Sequence, residues 1–395
     1  MYLIGSFFCA GASGAMNVSD TTINPVKYIN TSFENASPLE YTIDSTGVVT
    51  IGLIYDHERS SINRANGHWH YQVEADPGTV VTIVMKNFEN YWNGRLAFPV
   101  TEKTNSLVSE DGVHWKPVPT TLNPDHTITF KVTMTGPKMF VASVEPYRIS
   151  DLDKLISQIR KNKLVHVENI GRTVEGRTLE MIRIGNPKAK KSIVLRARAH
   201  PWEAGGNWVA EGLIKSLLKA DAAKYLERYC IYVMPMANKD GVARGRTRFN
   251  AMGMDLNRQW DKEPDSSLVP EKYAFEKWLK KMVASGNKPL LAIDLHNDNN
   301  GNLHVNFPTD SNKSYTARMN RFEELLKKHT WFREGKSHVK NPGSLGEGLA
   351  ARYGIDACVY EFNYDWIEGL QKDPTAADWL SLGATLRDVF YDYCE

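Results

Sequence analysis

His200 and Glu203 stand three residues apart, directly after the apolar run Ser192 to Ala199. An imidazole and a carboxylate at that spacing can close on one metal ion if they occupy a tight turn between strand and helix. Two histidines, one Glu and an open position for water make a zinc site of the hydrolytic kind. The pair alone is a weak signal in a chain with 11 His. A third ligand has an address at His296, just past the apolar run Leu290 to Leu295. In open α/β sheets ligands bind beyond the carboxyl ends of strands, so strands ending in His200 and His296 can present both rings to one point. Asp294 shares a side with His296 and is placed either to hold that ring or to pair within the sheet.

Between these ligands, Asn238 to Arg258 has the Gly, Asn and Arg content of a functional loop. A guanidinium forks two N–H groups onto a carboxylate, which lysine cannot imitate. Arg248 and Arg258, with Asn257 as a neutral donor, are the candidate site residues here, whereas Arg244 and Arg246 read as a solvated basic loop. Glu361 lies inside the apolar run Ala357 to Phe362, where a carboxylate is not buried without a partner. It is the candidate general base, collecting a proton from an activated water and handing it to a leaving amine.

Taken in order, these motifs resemble the M14 zinc metallocarboxypeptidases. Gly171 to Arg177 resembles the stretch that those enzymes carry before their first catalytic strand. Arg248, Asp255-Leu256-Asn257-Arg258, His200-Pro201 and Trp208 resemble the cytosolic-carboxypeptidase-like branch. The resemblance runs from Tyr147 to the C-terminus. It implies that His200, Glu203 and His296 bind one Zn2+ ion and that Arg248 polarises the scissile carbonyl and stabilises its oxyanion. Asn257 and Arg258 would clamp the C-terminal carboxylate of a peptide or protein, and Glu361 would act as base and then acid. The family's mobile tyrosine has no counterpart from Thr316 to Arg352, and His338 falls nearest its place. The resemblance also puts the specificity pocket at Asn341 to Gly348, including Leu345 and Glu347. Two rival readings are an aspartoacylase-like amidohydrolase acting on N-acyl amino acids and a carboxylate-end binding protein without catalysis. The Gly171 to Arg177 stretch and the β-rich segment before the catalytic region argue against the first. Glu361 beside three ligands argues against the second.

The elements that must position these residues follow from periodicity. Strand-like runs at 192–199, 230–236, 290–296 and 357–363 alternate with helical patterns at 207–219, 270–284, 316–328 and 375–391. That alternation predicts an α/β domain over 147–395, a mixed sheet with a largely parallel core and helices on both faces. Ser150 is expected to cap the first helix with Asp153, burying Leu152, Leu155, Ile156 and Ile159. Residues 17–146 read as an antiparallel β-sandwich, with strands at 47–55, 69–74, 79–85 and 127–134. It also resembles the β domain that precedes the catalytic one in the cytosolic-carboxypeptidase-like branch, and walling the substrate entrance is the role expected of it. In His68-Trp69-His70-Tyr71, alternation puts both histidines on one face, expected to meet solvent.

A length of 395 residues with 42% apolar content suits two domains with ordinary cores. A formal charge of +2 gives no reason to expect nucleic acid or an anionic membrane as partner. The four cysteines are scattered, and Cys230 and Cys358 read as small buried hydrophobes. Residues 1–16 are uncharged and apolar, resembling a secretory signal that lacks its basic start. Export is expected if this is a truncated signal, and a cytoplasmic location otherwise. No stretch is long and apolar enough for a transmembrane helix, and nothing bears on oligomeric state.

Overall fold

Short alternating runs in the first part of the chain build two five-stranded sheets. The computed structural model describes residues 24–59, 61–305, 313–337 and 343–395, so the candidate signal remnant and His338 lie outside it. One sheet orders Val26–Asn30, His70–Ala75, Lys138–Ala142, Ser106–Ser109 and Lys116–Val118. The other orders Thr120–Leu122, Ile128–Thr133, Val80–Lys86, Val49–Leu53 and Leu39–Ile43. The expected antiparallel pairing holds for these strands except that Val49–Leu53 runs parallel to Val80–Lys86. Their inward residues, among them Ile51, Tyr71, Val73, Ile83, Val132 and Val141, fill the space between the sheets.

His68 and His70 correct the sequence reading: they are 4% and 2% exposed. Alternation does place Trp69 and Tyr71 in the sandwich core, but the opposite face is covered as well. His68 Nε2 lies 3.2 Å from the Asn35 carbonyl, and His70 Nδ1 lies 3.2 Å from Asn35 Oδ1. Phe33 and Trp115 meet the His70 ring edge-on. Burial holds the His68 pKa down to about 4 and that of His70 to about 3. Unfolded, both would titrate near about 6.5. Between about pH 6.5 and pH 4 the unfolded chain therefore binds more protons than the folded one, so this stability is complete above the window and lost on acidification. The expected loss at pH 4 is on the order of a few kcal/mol. Denaturant midpoints measured across the window should fall for the wild type and flatten for a His68→Gln/His70→Gln variant. The same slope in both proteins would remove the two rings from the account.

The second part of the chain builds one eight-stranded sheet. Its order is Val165–Arg172, Thr178–Ile184, Cys230–Met234, Ser192–Ala197, Leu291–Asp298, Asp356–Asn363, Leu303–Val305 and Lys336–Ser337. The four central strands, from Cys230–Met234 to Asp356–Asn363, are parallel. Thr178–Ile184 and Leu303–Val305 join them antiparallel on either side. The central strands read as continuous apolar runs because both faces are covered. Ile193 and Leu195 pack with helices Gly205–Leu217 and Ala376–Tyr393, while Val194 packs with Pro270–Ala284 and Leu345–Tyr353 on the other side. Phe275, Trp278 and Leu279 are core, and Cys230 and Cys358 are buried.

The helix Ile149–Ile159 buries Leu152, Leu155, Ile156 and Ile159, as the stripe predicts. Its cap falls earlier than Ser150: the Arg148 N–H donates to Asp151 at 2.8 Å. Among the described residues, no helix is long and apolar enough to cross a membrane.

Candidate active site

The strand Ser192–Ala197 ends at Arg198, whose left-handed φ of 61° turns the chain sharply. The Arg198 guanidinium then straps the turn, donating to the Pro201 carbonyl at 2.6 Å and to Asn207 Oδ1 at 2.8 Å. This sets His200 beside Glu203 just before the helix Gly205–Leu217. Gly205 allows a close approach: its N–H meets Asn297 Oδ1 at 2.9 Å, and a Cβ there would lie 2.6 Å from the Asn297 amide nitrogen. Parallel register aligns Ala197 with Leu295, so His296 emerges at the same end of the sheet. The next strand pairs His296 directly with Glu361.

His200 Nδ1 lies 2.7 Å from Glu203 Oε1, and His296 Nδ1 lies 2.7 Å from Glu203 Oε2. The two Nδ1 atoms are 3.1 Å apart. Glu203 Oε2 is buried and, among the described residues, has no hydrogen-bond partner. Two nitrogens and a carboxylate thus converge on one point with Glu203 Oε2 left unsatisfied, and this donor set fits zinc. Burial pushes the Glu203 carboxyl up, but the two imidazoles outweigh it and hold the pKa at about 2.

Each ring is oriented from behind by a carboxylate. His296 Nε2 meets Asp294 Oδ2 at 2.8 Å, and Arg196 forks onto Asp294 with Nε at 2.8 Å from Oδ1. Both readings of Asp294 therefore hold at once. His200 Nε2 meets Asp255 Oδ1 at 3.1 Å. Asp255 also accepts the Asn257 N–H at 2.9 Å and takes Arg248 at 2.8 Å from Nε and 2.7 Å from Nη2. Burial raises the Asp255 pKa and Arg248 overcomes it, leaving the group well below the carboxylate range. Sequence reasoning passed over Asp255, although its position in an arginine-rich loop was a signal.

A cleft of about 370 Å³ opens in front of this cluster. His200, Glu203, Arg248, Asn257, Arg258 and Glu361 line it, while His296 sits behind them, fully buried. Trp92, Phe98 and Pro99 of the sandwich complete its wall. Glu361 is 9% exposed and, among the described residues, its Oε2 has no hydrogen-bond partner. Burial, reinforced by Asp298, lifts its pKa well above the usual range. His304, which no motif flagged, lies 3.9 Å from Glu361 Oε1 and from Asp298 Oδ2.

Arg258 donates from Nη1 to the Asn257 carbonyl at 2.8 Å. Among the described residues it has no carboxylate within ion-pair distance, and burial depresses its pKa. The Arg248 guanidinium stands 4.7 Å over the Trp92 ring. Asn257 Oδ1 accepts the Leu345 N–H at 2.9 Å, so its amide N–H groups are what the side chain offers the cleft. Leu345 and Glu347 differ from expectation. Leu345 is buried behind Asn257, and Glu347 borders a separate depression beside Arg258. Asn341 lies outside the described residues. Arg244, paired with Glu175 at 2.5 Å, and Arg246 line neither the cleft nor its wall.

The zinc carboxypeptidase family of M14 peptidases matches residues 152–342. Cytosolic carboxypeptidase 2 of Homo sapiens is 27% identical over 282 residues, covering 65% of this chain and 31% of that protein. The chain spans less than half the length of the first curated relatives it matches. A metallo-carboxypeptidase from Burkholderia cenocepacia superposes with a TM-score of 0.82 at 22% identity, over 93% of this chain and 98% of that one. A metallo-carboxypeptidase from Pseudomonas aeruginosa gives 0.77 at 21% identity, over 93% and 100%. These two likenesses establish the fold, including the β-rich part ahead of the large sheet. Residues 152–342 are thus similar to the M14 zinc carboxypeptidase family, on a chain that shares the fold of metallo-carboxypeptidases.

Proposed function

We propose that this chain is a zinc-dependent carboxypeptidase hydrolysing the C-terminal peptide bond of peptides or proteins. The observation that carries the proposal is Arg258: a half-buried guanidinium with no carboxylate within ion-pair distance among the described residues, beside Asn257, in the cleft that also holds Glu361. A half-buried cation facing a cleft without a partner of opposite charge is suited to an anion supplied from outside. The terminal carboxylate of a peptide would take both the guanidinium fork and the Asn257 amide. Arg248, fixed by Asp255 and by Trp92, would face the scissile carbonyl and stabilise charge developing on its oxygen. Glu361 Oε2 has no competing partner among the described residues, so it is available to accept a proton from water and deliver it to the leaving nitrogen. A zinc ion held by His200, Glu203 and His296 would supply Lewis acidity and lower the pKa of water. We take 17–146 as the sandwich domain and 147–395 as the catalytic domain, since separate apolar sets, 26–141 and 147 onward, support a division there.

The first test is hydrolysis of a peptide library with free and amidated C-termini, run beside acetylaspartate. Free ends should be cleaved and amidated ends refused. Arg258→Ala should raise KM for free ends about 100-fold, the effect of losing a charge-assisted pair, and abolish the discrimination. Equal cleavage of both ends by the wild type would end the clamp assignment. Action on acetylaspartate alone would replace the peptidase with an acylase.

A further inference from the structure

We infer that Asp56, a residue of the β-sandwich, is a positioning residue for Arg248 and so orients the central cation of the cleft. The inference rests on the hydrolase reading just given. Residues 244–258, which carry Arg248, form neither helix nor strand. Their backbone groups must find partners elsewhere. Asp56 supplies them: Oδ1 accepts the Thr247 N–H at 3.0 Å, and Oδ2 accepts the N–H groups of Arg248 at 2.6 Å and Phe249 at 3.0 Å. Three successive amides on one carboxylate fix the peptide planes on both sides of the Arg248 Cα.

The choice of residue is informative. Asp56 is 5% exposed and has no ion-pair partner among the described residues. Burial raises its pKa while the three N–H groups pull it back. A carboxylate in that position is costly unless its acceptor capacity is used. Other groups of the sandwich also hold this segment, at points on either side of Arg248. The Gly67 and His68 N–H groups reach Thr247 Oγ1 at 3.3 and 3.4 Å, and Arg59 donates to the Gly253 carbonyl at 2.7 Å. Trp92 then supports the guanidinium from the same side. Backbone and side chain of Arg248 are therefore both set by the sandwich, with Asp255 completing the grip.

The test is a double-mutant cycle of Asp56→Asn with Arg248→Ala. The Asp56→Asn change keeps the side-chain shape but leaves one carbonyl oxygen where three amides need two oxygens. Asp56→Asn alone should lower kcat about 30-fold, as displacement of a catalytic group does, with KM within about threefold and zinc content unchanged. In the Arg248→Ala background the same change should alter kcat less than about twofold, since there is no guanidinium left to misplace. Amide exchange at residues 247–249 should accelerate in Asp56→Asn, a readout that needs no activity. Multiplicative losses in the double variant, wild-type kcat in the single variant, or unchanged exchange would each overturn the inference. If Asp56→Asn does not fold, Asp56→Glu replaces it: lowered kcat with zinc retained supports positioning, and wild-type kcat refutes it. A wild type that binds zinc but cleaves no peptide would instead refute the carboxypeptidase reading, and the exchange comparison would still decide whether Asp56 holds the segment.

Discussion

Replacement of Glu361 by Gln is expected to lower kcat about 1,000-fold while leaving zinc content and KM near wild type. Gln fills the same volume, but its amide cannot take a proton. The carboxylate stands in the cleft with an oxygen that has no partner among the described residues, adjacent in register to His296. Burial and Asp298 hold its pKa up, which suits a group that must accept a proton and then give it away. Because a buried charge without a partner is destabilising, the variant should melt at or above the wild-type temperature. That combination separates a chemical role from a structural one. Turnover within tenfold of wild type would remove Glu361 from the reaction.

Loss of His296 is expected to have the largest effect, reducing activity to background together with the metal. Its ring is fully buried, and its orientation is fixed by Asp294, itself clamped by Arg196. His296→Ala leaves two of the three donors and removes the imidazole that faces both Glu203 and Asp294, so the site loses a ligand that no neighbouring side chain supplies. Chelation of the wild type should likewise abolish turnover, and zinc should restore it in the wild type but not in the variant. The metal-free protein should also melt several degrees lower, since binding to the folded state alone stabilises it. Full activity in a sample shown by elemental analysis to lack zinc would end the metal assignment. This experiment tests the ion, not the substrate, because the acylase reading also requires zinc.

The parts of the site that were legible in the sequence are those marked by local pattern. Continuous apolar runs reveal central parallel strands because such strands are buried on both faces, and residues just past their ends meet at one edge. That rule alone brings His200 toward His296. Glu361 was legible because an ionisable group inside such a run is chemically costly. Helix stripes were equally plain, although caps were not: Arg148 rather than Ser150 begins the first helix, since the backbone N–H that Asp151 accepts is not written in residue type.

Other features depended on partners far away along the chain. Period-two alternation tells which side chains share a face but not what covers it, so His68 and His70 read as solvated until Asn35, Phe33 and Trp115 closed over them. Leu345 sits behind Asn257 for the same kind of reason. Chemistry and its approximate location were thus inherent in the order of residue types, because burial period and strand ends are local properties. The grip of Asp255 on His200, and that of Asp56 on the segment around Arg248, came only with folding. A hydrogen bond between groups 55 or 192 residues apart is selected by the packing of whole sheets, and no short window of sequence contains both partners.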